Sequence, residues 1–518
     1  MVINLLMYLM IASPDVVGEA GLRSRLPFLG NAVVAPGLAQ FTRTFHIPSG
    51  GCFLRIRAWR HAIGIAPLLL LGAIAAHAQT PAPAPPPKLD SGDTSWMLVS
   101  CALVLLMTPG LALFYAGMAR SKNVLSVLMQ SFLACGLITV QWCLFGYSLA
   151  FGPDHKGLIG DLSWVCLHGV SAFKPDTDYA PTIPHQVYCM FQLMFAIITP
   201  ALISGAIVER MKFSAYLVFM LLWATIVYDP LAHWVWGHGG WLGAAGALDF
   251  AGGTVVHMSS GFSALTLALI LGKRKKSEGG EELRPHNLPM TLIGVALLWF
   301  GWFGFNAGSA CSAASPSGAA GASATVAFVA THIATGTAAM TWLFLDWIFY
   351  KKPTALGFGS GAVAGLVAIT PACGFVSPMG ALLIGIIVSI VCFFAIRLKH
   401  LFGADDALDV FGVHGCGGTW GSLATGLFAV GAYNAAGHDG FLNGGSFASA
   451  MLPQLKDIGA TIVLAVVGTV ICAGITHLVC GGLRSTADGE EAGLDLADHG
   501  EVGYSGENAG APALSGAD

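Results

Sequence analysis

ALDFAGGTVVHMSSGFSALTLALILGKRKK, residues 247–276, is the stretch on which the reading of this chain turns. From about Thr254 to Gly272 it is apolar over roughly the length a helix needs to cross a bilayer. It places one histidine, His257, inside that run and ends on four consecutive basic residues, Lys273 to Lys276. An ionisable group inside such a helix is costly and marks a path or a site. Working outward, similar runs recur at about 95–117, 124–151, 186–207, 213–230, 288–309, 321–350, 355–371, 378–397, 410–430 and 457–480. The composition agrees: 55% of residues are hydrophobic and only 10% charged, against about 25% charged in a soluble domain. The expected fold is an all-α membrane protein of about eleven transmembrane helices.

Basic residues set the orientation. Arg120 and Lys122, Arg210 and Lys212, the 273–276 cluster with Arg284, Lys351 and Lys352, and Arg397 and Lys399 all fall in alternate connections, which should therefore be cytoplasmic. The intervening loops hold only Lys156, Lys174 and Lys456. An odd number of spans then leaves the carboxyl terminus inside. Ahead of the first span, Arg55, Arg57 and Arg60 precede an apolar run and the Ala76-His77-Ala78 triplet, the pattern of a signal peptide over 51–78. Residues 1–50 fit neither a signal peptide nor a packed domain and read as an upstream extension from a wrongly chosen start. Residues 79–94, rich in proline and alanine, form a stiff linker, 95–480 the transmembrane domain and 481–518 a polar tail. The expected location is a bacterial inner membrane, with the mature amino terminus periplasmic.

The net charge of −4, without a long basic tract, argues against a nucleic-acid partner. None of the twelve cysteines sits at metal-ligand spacing, so neither a metal nor another cofactor is expected. Cys166 and Cys189 flank a loop read as periplasmic. There they either form a disulfide or pack separately.

The two halves of the chain resemble each other. LFYAGM at 113–118 parallels GFNAGS at 304–309, and LDFAGGTVVH at 248–257 parallels LDVFGVH at 408–414. A repeat of five helices must place its second copy upside down, giving an inverted 5+5 arrangement plus one final helix, with the path where the copies meet. His257 and His414 then approach a shared centre. An imidazole can accept or return a proton, and its neutral form offers one nitrogen as an acceptor. His332 and His477 have no repeat partner and read as packing residues. Asp249 and Asp409, ahead of the two histidines, read as carboxylates that orient backbone amides at helix starts. Direct contact with substrate is the second choice for Asp249.

The segments LFYAGMARSKNVLS (113–126), GALDFAGGTVVH (246–257), RPHNLPM (284–290), GWFGFNAGSA (301–310), AGLVAITPACG (364–374) and DVFGVHG (409–415) resemble, in order, the signature segments of the ammonium transporter family. The resemblance covers about residues 95–504, and Trp236 within AHWVWG is closer to ammonium transporters than to their Rhesus-protein relatives. It implies an outer recruitment site at Phe191, Trp236 and Ser309, where ring faces attract a small cation and a hydroxyl accepts one of its protons. It further implies a gate of stacked rings, Phe195 and Phe305, and a pore lined by His257, His414 and Trp302. Ammonium would be recruited outside and lose a proton near the gate, and ammonia would pass the two histidines. The fate of that proton, returned outside or carried across, stays open.

The tail segment from Gly482 to Ser505 is similar to the family's cytoplasmic tail at Gly493, Leu494, Asp495, His499, Gly500, Glu501 and Tyr504. That similarity implies docking beneath the helices, a homotrimer with one pore per subunit, and block by a PII-type signalling protein. Three competing readings are a cation channel, which would want a TVGYG-like filter absent from the sequence, an ammonium sensor acting through the tail, and an enzyme. No nucleophile, metal cluster or phosphate loop accompanies the histidines, so an enzyme is not expected.

Overall fold

The computed structural model of the chain describes residues 88–275, 285–313 and 324–504. The expected extension, the signal peptide and most of the linker lie outside the described residues, as do Lys276, Arg284 and the tail from residue 505 on.

Eleven helical spans run in order among these residues. They are α1 (Ser91–Met118), α2 (Ser121–Phe151), α3 (His185–Ile207), α4 (Phe213–Trp223, Ala224–Tyr228 and Asp229–Trp236 in continuation), α5 (Gly253–Leu271), α6 (Leu288–Ala307), α7 (Ala324–Tyr350), α8 (Ala355–Ile369), α9 (Pro378–Leu398), α10 (Phe411–Gly415 and Cys416–Phe428) and α11 (Phe447–Cys480). Nine of the described helices are long and apolar enough to span a bilayer, and α8 is a shorter apolar helix. In a bilayer each backbone N–H and C=O must be satisfied within the protein, which is why the apolar runs are helices throughout. Short polar caps close their ends: Asp90 accepts from the Asp93 amide at 2.8 Å, Asn287 from Met290 at 2.9 Å and Thr354 from Gly357 at 2.9 Å.

The surface has the polarity of a membrane protein. Leu98, Phe300, Phe344, Phe394 and Val467 are exposed, while Gln130, Asp229, Asn306 and Asp457 are buried. Nearly every side chain of α3 from Phe191 to Ile207 is buried, so that helix forms the centre of the packing. The chain is a multi-pass membrane protein.

The repeat is inverted. The amide of Asn287, just before α6, donates to the Gly117 carbonyl near the end of α1 at 3.0 Å, so α6 begins where α1 finishes and the two run antiparallel. In the same way Arg274, after α5, meets Asp405, before α10. Three boundaries differ from the sequence reading. Helix α4 continues past Asp229-Pro230 to Trp236, and α11 starts at Phe447 instead of 457; each proline closely follows a π turn, Ala224–Tyr228 ahead of Pro230 and Phe447–Met451 ahead of Pro453, and the widened turn accommodates a ring without an amide hydrogen inside a running helix. Helix α1 starts at Ser91, on its Asp90 cap. Lys456 therefore lies within α11 and not in a loop. Cys166 and Cys189 are both free thiols, the first exposed and the second buried.

The basic connections gather on one face. Glu209 accepts from the Arg120 backbone amide at 2.9 Å and from its Nε at 2.8 Å, while Asp405 bridges Arg210 at 3.2 Å and Arg274 at 2.9 Å. Burial works against the charged form of Asp405, but the Arg274 hydrogen bonds and the charges of Arg274 and Arg210 outweigh it and hold its carboxyl at about 2. The tail docks on this face through two short helices, α12 (Ala487–Ala492) and α13 (Leu494–His499). Asp495 accepts from the amides of Leu125 at 3.0 Å and Ser126 at 2.7 Å, Leu494 donates to Asn123 at 2.8 Å, and the Tyr504 hydroxyl meets His286 at 2.9 Å. On the opposite face a two-stranded hairpin, β1 (Asp154–His155) and β2 (Ile159–Gly160), is tied to α4 by the His233–Asp154 contact at 2.9 Å.

Candidate functional site

Both central histidines ride on wide turns. Residues Gly253–Met258 and Phe411–Gly415 are π-helical, each flowing into an α-helix. The extra residue in such a turn re-aims side chains, and these turns are common at functional sites. Asp249 fixes the first of them: its two oxygens accept from the amides of Gly252 at 2.7 Å, Gly253 at 2.6 Å and Thr254 at 2.8 Å, and from the Thr254 hydroxyl at 2.7 Å. Gly252, at φ 109°, makes the entry that a side chain would resist.

In the second turn the amide of Phe411 goes to Asp406 at 2.8 Å, whereas Asp409 is paired with Lys399. Matching the two Leu-Asp pairs thus put the repeat out of register by three residues. Counted back from each histidine, Asp249 and Asp406 both stand eight positions ahead, and Gly261 and Gly418 both stand four behind. Those glycines bring the helices together. A Cβ at Gly261 would lie 2.2 Å from the Gly415 amide nitrogen, and one at Gly418 2.8 Å from the Gly253 carbonyl oxygen. Helices α5 and α10 therefore touch backbone to backbone. That contact sets His257 Nδ1 3.3 Å from His414 Nδ1, with both rings buried. The Asp-x7-His-x3-Gly spacing was available in the sequence and would have identified Asp406.

A bond between two Nδ1 atoms needs one proton. Two neutral imidazoles carry two in all, so the Nε2 atoms present one donor and one acceptor. His257 Nε2 is buried and meets no protein hydrogen-bonding group. Trp302 lies nearly parallel to His257, with ring centres 5.4 Å apart, and Phe305 also lies parallel to it at 6.0 Å. Phe195 covers Phe305 at 4.3 Å, and Trp236 meets Phe195 edge-on at 5.9 Å. Beside the histidines a cavity of about 10 Å³ is lined by Leu111, Ile198, Val256, Trp302, Phe305 and Val363 among others. That is about one water's worth of space. A hydrated ion does not fit.

Above the phenylalanines a wider cavity of about 260 Å³ opens, lined by Trp236, Phe195, Ser309, Gln192, Tyr188 and Asp249 among others. The Trp236 indole donates to the Asp249 carbonyl at 2.9 Å and the Ser309 hydroxyl to the Phe305 carbonyl at 2.9 Å. Phe191 packs edge-on behind Phe195 at 5.0 Å, one layer back from this wall. Gln192 Oε1 is buried without a protein partner, and sequence reading passed it over. Of the two histidines read as packing residues, His332 lies against the rings of Trp299 and Phe303, away from the centre. His477 is exposed near the end of α11.

The fold and its centre define a polytopic membrane protein with a small histidine-lined cavity between inverted repeats. The model of the Ammonium Transporter Family matches residues 95–504, and the chain belongs to that family. It is 52% identical over 417 residues to an ammonium transporter of Bacillus subtilis, covering 80% of this chain and 99% of that one. It is 43% identical over 418 residues to the ammonium transporter Amt1 of Archaeoglobus fulgidus, covering 80% and 100%. Among solved structures, Saccharomyces cerevisiae Mep2 is similar with a TM-score of 0.72 and 36% identity, over 81% of this chain and 93% of that one. A sensor Amt protein is similar with a TM-score of 0.68 and 28% identity, over 79% and 98%. The relatives are named as transporters, and the chain is not an enzyme.

Proposed function

We propose that the chain carries ammonium across the membrane, taking it up as the cation and passing it through the centre as ammonia. The observation that carries this reading is the small cavity lined by two hydrogen-bonded imidazoles beneath a pair of phenylalanines whose rings touch at a 40° tilt. Trp236 and Ser309, with Phe191 behind, recruit ammonium in the outer cavity through ring faces and a hydroxyl acceptor. Phe195 and Phe305 exclude its hydration shell and must move aside for passage. A charged species is disfavoured in so apolar a space, so the cation gives up a proton at or near this gate, either to water on the outer side or to the imidazole pair. Ammonia then passes Trp302, His257 and His414, taking one imidazole donor and one acceptor in turn. Potassium, similar in size and charge, has no N–H to offer those acceptors. Asp249 supports the site by holding the π turn.

A signal peptide over 51–78 is removed. The protein sits in a bacterial inner membrane with its basic connections and tail in the cytoplasm. It forms a homotrimer and is blocked at the cytoplasmic face by a PII-type protein, whose reach the docked tail would control. Vesicles containing the purified protein, challenged separately with ammonium, methylammonium and potassium under simultaneous current and internal-pH recording, test the reading. Ammonium and methylammonium should enter and potassium should not. Equal potassium flux would make it a cation channel, and binding without flux a sensor.

A further inference from the structure

We propose that Thr370 is a positioning residue: by accepting the Trp302 indole N–H it turns a ring face, and not a hydrogen-bond donor, towards the passage beside His257. The inference rests on the reading that ammonia crosses this passage. Trp302 Nε1 donates to Thr370 Oγ1 at 2.9 Å, and the Thr370 hydroxyl donates in turn to the Leu366 carbonyl at 2.7 Å, with Asn306 Oδ1 3.3 Å away. Asn306 continues the chain by donating to Thr331 at 2.8 Å. Thr370, Asn306 and Thr331 are fully buried, and Trp302 nearly so. The chain runs from α6 to α8 and α7, so the indole is held from outside the passage by two neighbouring helices.

What this fixes is the hydrogen-bonding character of the wall. Apart from His257 and His414, Trp302 is the residue lining the central cavity that carries a side-chain nitrogen. An indole N–H can only donate. Left without Thr370, it would be a buried donor with no partner, and the one lone pair of ammonia would be the nearest acceptor passing by. In a dry, apolar space such a bond is strong. Ammonia would lodge at Trp302 instead of moving on to the histidine pair. With the N–H withdrawn, the imidazoles alone decide where the passing molecule bonds.

The bland account is that any buried tryptophan needs an acceptor and Thr370 serves only packing. A double-mutant cycle in reconstituted vesicles separates the two: Thr370→Val, Thr370→Ser, Trp302→Phe and the Thr370→Val/Trp302→Phe pair. The expected results are an ammonium flux lowered in Thr370→Val by between about fivefold and about a hundredfold, near-normal flux in Thr370→Ser, which keeps the acceptor, and a double variant equal to Trp302→Phe alone. If the valine variant does not insert, Thr370→Cys, a weak acceptor, takes its place in the same cycle. A loss that persists once the N–H is gone, or a valine variant as fast as wild type, overturns the role of Thr370. The wild-type arm keeps the two claims apart, since failure of the transport reading would show there first.

Discussion

At the residue scale the site depends on two carboxylates whose partners are backbone amides. Asp249 accepts from three amides and a hydroxyl at 2.6–2.8 Å, so both its oxygens are fully engaged. Asparagine keeps one of these oxygens and turns an amino group on the remaining donors. Asp249→Asn should therefore destabilise the fold by roughly 3 kcal/mol, read as a lower thermal midpoint in detergent, and a variant as stable as wild type would contradict this anchoring role. Asp406 behaves differently because its Oδ1 is buried without a partner. Burial, reinforced by the neighbouring charge of Asp409, lifts its carboxyl to about 6. An unfolded chain holds such a group near 3.9, so the folded form keeps the proton over a wider range. Its contribution to stability is full below about pH 4 and is lost as the pH rises through about 6. Thermal stability of the wild type relative to Asp406→Asn should fall over that window by something on the order of 2 kcal/mol; a flat difference would mean the proton is not held.

At the scale of elements, much of the architecture was legible and the errors have physical causes. Spans, their number and the inversion follow from apolar length, basic loops and an odd repeat. Proline misled at Pro230 and Pro453, because the sequence alone does not show the π turn ahead of each that lets the helix run through it. The π turns that carry His257 and His414 were not legible, since one extra residue per turn leaves no mark in hydropathy. Asp409 was singled out in place of Asp406 because a match on Leu-Asp sets the copies three residues out of register, although each carries an aspartate eight positions ahead of its histidine. The twin histidines themselves were legible as rare ionisable groups at repeat-related places. Gln192 and Thr370 were not, because a polar residue in an apolar run says nothing about what it faces. The crossing of α5 and α10 gives this scale its own prediction. Gly261→Ala puts a methyl where the Gly415 backbone lies, at a cost of about 1–3 kcal/mol, and widens the gap between the imidazoles. Flux should drop several-fold while the protein still inserts and assembles; unchanged flux would show that the 3.3 Å contact is dispensable.

For the whole molecule, the cavity at the centre and the tail on the basic face are joined through the loops that close the helices. Asp495 caps the start of α2, and Glu209 and Asp405 tie the ends of α1, α3 and α5 to the entry of α10, which carries His414. Removing the Asp495 carboxylate, as in Asp495→Ala, should free the tail at a cost of about 1 kcal/mol, so that limited proteolysis cuts it at least several-fold faster; an unchanged rate would mean other contacts hold it. The account as a whole stands on the imidazole pair. Ammonium and potassium fluxes in vesicles carrying wild type, His257→Ala or His414→Ala measure that claim most directly. Each substitution should lower ammonium flux or its preference over potassium at least tenfold, whereas two variants that retained wild-type ammonium-selective flux would contradict it.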